Sequence, residues 1–379
     1  MRNSPGGDEK PASPNQLSHS VTDRFAGASF DSMEGVPAWA PVESGASFPR
    51  RLIATFQRLA PGLGIAVLVA LAASWLAEHY TAPVMLFALL LGMALNFLSQ
   101  ETRCRPGIDF TTRTVLRTGV ALLGARITLS QVQSLGAETL LIAVSAAVLT
   151  ITFGWLAARF LKLKPDFGIL TGGSVAICGA SAAMAFSSVL PPSPERERDT
   201  ILTVVGVTTL STVAMIIYPL MAAALHFSET QTGVFLGATI HDVAQVVGAG
   251  YGVSVMTGDT STIVKLFRVA LLLPAALLVS VMFRNGQSKG KQGAGPPLLP
   301  AFLLVFVALV VLNSAIAVPA ELVQGAGEAS RWCLITAIAG LGIKTKLGDF
   351  VKVGWRPAAL ILAETLFVMF LVLALLLTV

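Results

Sequence analysis

Charge is scarce in this sequence. Asp, Glu, Lys and Arg make up 12% of its 379 residues, against roughly a quarter in a soluble domain, while apolar residues make up 54% and the mean hydropathy is +0.75. So little charge cannot clothe a water-facing surface, so the apolar excess has to face lipid and a set of soluble domains is excluded. Cysteine is scarce too. Cys104, Cys178 and Cys333 show no CxxC spacing, and the last two sit inside apolar stretches, so neither a disulfide framework nor a zinc site is expected. The four histidines, His19, His79, His226 and His241, are scattered, and no HExxH, GxSxG or GxxxxGK[ST] occurs. The zinc-peptidase, nucleophile-elbow and phosphate-loop chemistries therefore have no signature here. The expectation is a protein that is not an enzyme and carries no cofactor.

What charge there is has a pattern. The net +5 comes from Lys and Arg gathered in particular connections between apolar runs, which sets membrane orientation and does not indicate nucleic acid. Residues 1–48 are rich in Ser, Pro, Gly and acidic side chains, too poor in apolar surface to offset the entropy of ordering. They read as a disordered cytoplasmic tail without the basic start and apolar core of a secretory signal. Met33 is an alternative start.

Residues 49–379 read as one all-α polytopic membrane domain. A bilayer core of roughly 30 Å takes about 20 apolar residues per helix, and eleven stretches qualify: 62–80, 84–99, 112–129, 137–160, 168–189, 201–226, 231–252, 262–283, 298–318, 330–347 and 356–378. Basic clusters fall in alternate connections: Arg103, Arg105 and Arg113; Arg159, Lys162 and Lys164; Arg284, Lys289 and Lys291; Lys344, Lys346, Lys352 and Arg356. Those connections are cytoplasmic by the positive-inside rule, which puts the N-terminus in the cytoplasm and the C-terminus in the periplasm of a bacterial inner membrane. Arg196 and Arg198 in PPSPERERD fit worst. Re-entrant hairpins at segments 5 and 7 would move that loop to the cytoplasmic side and leave the rest unchanged.

Transporters are commonly built from inverted repeats. At an offset of 150, VLRTGVALLGA (115–125) lies over KLFRVALLLPA (265–275). Segments 2–6 (about 84–226) then pair with segments 7–11 (about 231–379), a five-plus-five inverted repeat with segment 1 as an extra N-terminal helix. A rival alignment lays ALLGARITL (121–129) over AGLGIKTKL (339–347) but leaves segments 5–7 unpaired.

Segment 5 holds GGSVAICGASAAMA (172–185). Its small residues allow close helix packing. Alternatively, Gly172, Gly173 and Gly179 break the helix near mid-membrane, and the exposed N–H groups bind an anion. By repeat position its mate is segment 10, with a second break at Gly340 and Gly342. Segment 7 holds GATIHDVAQVVGAG (237–250), which places His241, Asp242 and Gln245 half way along an apolar stretch, where charge is costly and functional by default. The functional reading makes Asp242 a proton- or cation-accepting carboxylate and His241 a substrate donor or proton relay; the structural one has both bonding a neighbouring helix. Lys265 and Arg268, near the outer end of segment 8, either meet an anionic substrate or snorkel to headgroups. Glu364, about 12 Å into segment 11, needs a partner. Asn96 is a candidate for coordinating a polar ligand, and Arg113 with Arg117 orients the chain.

The ALLGARITL stretch, the ICGASA of segment 5 and above all GATIHDVAQVVGAG resemble the YeiH-like sulfate exporter family of bacterial membrane proteins, over about residues 60–379. That family looks related to the bile-acid/sodium symporter and cation-proton antiporter group, which implies two crossed, broken helices and a substrate between core and panel domains. The family motifs carry over at Gly172, Gly173, Cys178, Gly179, Ser181, His241, Asp242 and Gln245. The resulting expectation is a secondary transporter exporting or exchanging a small anion, sulfate or a related oxyanion, coupled to H+ or Na+. Its partners are then that solute, the coupling ion and the lipid bilayer, with no nucleic acid; a homodimer stays open. A passive anion channel and a non-transporting scaffold or sensor are the alternatives.

Overall fold

The computed structural model describes residues 48–80, 83–191, 193–283, 301–316, 318–345, 348 and 353–378. The expected disordered tail lies outside them, except that Phe48 opens the first helix. The described residues are helical and contain no strand. In chain order the helices are α1 (Phe48–Tyr80), α2 (Val84–Ala94), α3 (Arg105–Phe110), α4 (Leu116–Leu123), α5 (Leu129–Ser134), α6 (Gly136–Phe160), α7 (Pro165–Ala176), α8 (Ala180–Val189), α9 (Arg196–Ala224), α10 (Glu229–Thr239), α11 (Val243–Val253), α12 (Val255–Ala270), α13 (Leu272–Met282), α14 (Ala301–Ala315), α15 (Ala320–Lys344) and α16 (Trp355–Thr378). A single π-helical turn, Thr111–Val115, joins α3 to α4. Among the described residues five stretches are long and apolar enough to cross a membrane: Ala54–Tyr80, Gly136–Phe160, Arg196–Ala224, Val255–Met282 and Trp355–Thr378.

Local chemistry sets several boundaries. Thr128 with Gln131, and Ser228 with Gln231, form capping boxes that start α5 and α10 by satisfying orphan N–H groups reciprocally. Helices α6 and α9 end where Lys162 and His226 take φ 55°. The N–H groups of Leu163 and Phe227 then return to the carbonyls of Ala158 and Ala222, the Schellman arrangement that closes a helix.

Segments 5 and 7 do not cross. Each is a helical hairpin. Gly173 in α7 lies against the Phe186 ring in α8, although in a straight helix those residues would stand about 20 Å apart. Asp166, at the start of α7, pairs with Arg196 beyond the end of α8 at 2.6 Å, so the hairpin enters and leaves on one side. The second hairpin is built the same way. Thr257, just past α11, donates to the carbonyl of Glu229 at the start of α10 at 3.1 Å. Gly233 and Gly237 of α10 lie beside Thr260 and Val264 of α12, while Gly250 of α11 lies beside Gly258, so α10 and α11 run antiparallel. Between the hairpins α9, 29 residues long, carries the chain across. The two hairpins therefore enter from opposite sides.

The second break expected at Gly340 and Gly342 is not there: α15 runs unbroken from Ala320 to Lys344. Small residues permit a break and a close crossing alike, and here they make a crossing. A Cβ on Gly342 would meet the Leu89 carbonyl and come within 3.0 Å of Gly92 Cα, and one on Gly340 would lie 3.1 Å from the Thr111 side chain. The five-plus-five pairing that assigned the second break to segment 10 thus does not locate it. Because a backbone carbonyl cannot yield as a side chain can, Gly342→Val is expected to push α2 from α15 at a cost of about 1–3 kcal/mol. Thermal aggregation of the purified protein followed by size exclusion would read this as a lower midpoint; an unchanged midpoint would mean that the two helices separate freely.

Candidate functional site

The two hairpin tips meet inside the helix bundle, where one lysine, Lys265, reaches carbonyls of both. The first is Ile177–Cys178–Gly179, where Gly179 takes φ 64°, a conformation that a side chain would strain. The second is Ile240–His241–Asp242, between the last residue of α10 and the first of α11. At each tip one half-helix ends with carbonyls that have no partner within the helix and another begins with N–H groups that have none.

Lys265 and Arg268 hold the carbonyl ends together. They stand three residues apart on α12, and both are 0% exposed. The Lys265 ammonium donates to the carbonyls of Ile177, Ile240 (2.9 Å) and His241. Arg268 donates through Nε to Ala176 (2.8 Å), through Nη1 to Gly237 (3.0 Å) and through Nη2 to Val175 (3.0 Å). These are the negative ends of two helix dipoles, and a cation there is stabilised by both. Lys265 was expected near the outer end of its span. Helix α12 instead begins at Val255, which puts Lys265 about 15 Å along it, and the residue staples the tips from within.

His241, Asp242 and Gln245 look in different directions from the second tip. Thr365 of α16 donates to the Ile361 carbonyl at 2.8 Å, so its hydroxyl accepts from His241 Nε2, 3.0 Å away. With that tautomer His241 Nδ1 is buried and makes no hydrogen bond of normal geometry among the described residues, although the Val175 and Thr239 backbone lies beside the ring. The Asp242 carboxylate caps α11, accepting from the Ala244 N–H at 2.8 Å, while its own N–H donates to Ser211 of α9; Asp242 is half-buried. Gln245 donates to Thr212 at 2.8 Å, and its buried Oε1 is unpartnered.

At the first tip, α8 starts without a side-chain cap, and Ser181 in its first turn is exposed. Cys178 is buried and free. Gly172 and Gly173 lie within α7, against Ile151 and Phe186, and so shape the arm without making the break. Asn96 is placed elsewhere: its amide donates to the carbonyls of Ile343 (2.7 Å) and Thr345 (3.0 Å), capping α15 as a structural group. Thr365, Ser211 and Thr212 were not singled out from sequence. Hydroxyl residues in a membrane helix commonly bond the carbonyl one turn back, so nothing marked these three.

The open end of the first hairpin is tied by ions. Lys164 meets Glu195 at 2.7 Å, which raises the lysine's pKa and lowers the carboxylate's, in each case chiefly through the hydrogen bond between them. The lowered Glu195 loses its contribution as pH falls through its folded value, and the raised Lys164 as pH rises through its own, so the pair is intact at neutral pH.

Residues 61–361 match the family model described as Conserved hypothetical protein 698. The chain is 50% identical over 319 residues to the UPF0324 membrane protein CT0845 of Chlorobaculum tepidum, covering 84% of this chain and 89% of that one. It is 52% identical over 309 residues to the UPF0324 membrane protein TauZ of Paracoccus pantotrophus, covering 81% and 91%. With the UPF0324 membrane protein RB0971 of Rhizobium meliloti it shares 49% identity over 315 residues, covering 83% and 91%. No solved structure matches. These relatives are membrane proteins throughout, as the long apolar helices require, and the chain belongs to the Conserved hypothetical protein 698 family, the YeiH-like UPF0324 membrane proteins.

Proposed function

We propose that the protein is a secondary transporter that moves a small anion, sulfate or a related oxyanion, across a bacterial inner membrane by alternating access. One observation carries the reading: two hairpins from opposite faces meet tip to tip, so that the uncapped start of α8 opens at Gly179 against the backbone of His241. The buried atoms without a partner among the described residues, His241 Nδ1 and Gln245 Oε1, are acceptors and suit a proton, a cation or a hydroxyl-bearing group and not the anion itself. The N–H groups at the uncapped start of α8, with Ser181 beside them, supply donors and a positive dipole end suited to an anion. Lys265 and Arg268 are saturated by carbonyls and act by fixing the tips. Asp242 is the coupling-ion group. In this reading the chain makes nine passes (α1, α2, α3 with α4, α6, α9, α12 with α13, α14, α15 and α16) plus two hairpins. Arg159, Lys162, Lys164, Arg196 and Arg198 then share the cytoplasmic side, the N-terminus is cytoplasmic and the C-terminus periplasmic.

The test is uptake and counterflow of radiolabelled sulfate in proteoliposomes, with and without a pH gradient. Saturable, gradient-driven flux is expected, and Asp242→Asn should bring it to background while the protein remains folded. Flux that does not saturate would make the protein a channel. Normal gradient-driven flux in Asp242→Asn would remove that residue from the coupling role.

A further inference from the structure

Glu364 lies outside the tip junction and is buried more completely than Asp242. It sits on α16 about 14 Å from Trp355 and is 0% exposed. Its Oε1 is 2.7 Å from the Thr171 hydroxyl of α7, its Oε2 has no partner, and it makes no ion pair among the described residues. The floor of its pocket is Gly154 of α6, where any side chain would strike the carboxyl group. One turn away on α6, the Thr150 hydroxyl is also buried and unpartnered.

A bare carboxylate in that setting would be a buried charge with one neutral donor, no counter-ion among the described residues and an empty acceptor, which is unfavourable for a buried ion. A carboxylic acid fits the geometry better. Thr171 has one hydroxyl proton and already lies 3.1 Å from the Phe167 carbonyl. If it donates there, its oxygen is free to accept a proton from Glu364. We propose that Glu364 is a proton-binding site of the transport cycle, protonated in this conformation. Its neighbour Thr365 bonds His241, so consecutive residues of α16 touch the first hairpin through Thr171 and the tip of the second through His241. Movement of either hairpin changes the environment of Glu364, and deprotonation changes what α16 can hold. This deepens the transport reading by naming the proton as a bound species at a second carboxyl group.

Infrared spectroscopy of the purified protein in lipid at neutral pH tests the site without needing a substrate. The wild type is expected to show the carbonyl stretch of a protonated, buried carboxylic acid, kept in Asp242→Asn and lost in Glu364→Gln. Should Glu364→Gln fail to fold, Thr171→Val removes the hydrogen-bonding partner and should shift the band without erasing it. A wild type with no such band, or a band indifferent to both substitutions, overturns the proposal; a band that appears only when sodium is withdrawn replaces the proton with sodium. In proteoliposomes Glu364→Gln should lose the response of sulfate flux to a pH gradient. If the wild type moves no sulfate, the transport reading fails while the infrared result still decides the proton site.

Discussion

Lys265→Met should leave almost no correctly folded protein in the membrane. The substitution keeps the length of the side chain and removes three hydrogen bonds, those to the carbonyls of Ile177, Ile240 and His241. These carbonyls end two half-helices that point at one another from opposite faces, with no water-filled exterior at hand. A buried carbonyl left without a partner costs about 1–3 kcal/mol. Two of the three, Ile177 and His241, lose their donor while Ile240 keeps Arg268 Nη1 at 3.3 Å, and that loss is still a large part of the roughly 5–15 kcal/mol that separates folded from unfolded domains. Arg268 cannot take over at Ile177 and His241, because its guanidinium is committed to Val175, Ala176, Gly237 and Ile240. Lys344→Met is the control, since among the described residues Lys344 pairs only with Asp109, at a partly exposed position. Yield in the membrane fraction and elution as a single species measure the effect. Wild-type yield for Lys265→Met would mean that the tips cohere without their central cation.

The contrast between Lys265 and Asp242 shows where sequence reasoning succeeds and where it stops. Hydropathy located the apolar stretches because burial in lipid is written into every residue of a span. GATIHDVAQVVGAG stood out because charge at depth is costly, and the structure does place His241 and Asp242 at a break. Hydropathy could not distinguish a pass from a hairpin. Two half-helices of 12 and 10 residues, α7 and α8, contain as many apolar residues as one crossing, and only the dihedral at Gly179 and the contact of Gly173 with Phe186 reveal the turn. The misfit of Arg196 and Arg198 to the charge rule was the legible trace of that turn. Gly340 and Gly342 misled for a related reason: a glycine pair reports that a backbone comes close to something, and whether this is a ligand or α2 is settled by elements distant in sequence. Lys265 was misplaced because α12 opens with Val255–Met256–Thr257–Gly258–Asp259, polar enough to read as loop. Its Ser254 cap, accepting from the Thr257 N–H at 3.1 Å, starts the helix there nonetheless.

Sidedness separates the hairpin architecture from eleven full crossings in an all-or-none way. In a background with Cys104, Cys178 and Cys333 replaced by alanine, single cysteines at Lys162, Glu197 and Glu229 can be tested with a membrane-impermeant maleimide on intact cells and on inside-out vesicles; all three positions are exposed. The hairpin at α7 and α8 returns Glu197 to the face of Lys162, as the 2.7 Å contact between Lys164 and Glu195 already demands. Glu197→Cys and Lys162→Cys should therefore label in inside-out vesicles and be silent in intact cells, and Glu229→Cys should do the reverse. A crossing segment 5 would send Glu197→Cys to the outside with Glu229→Cys inside, inverting both signals together. The expected pattern removes the exception from the positive-inside rule, since Arg196 and Arg198 then join Arg159, Lys162 and Lys164 on one face. It also fixes the geometry that alternating access needs. In the transport reading proposed above, one hairpin then opens to each face.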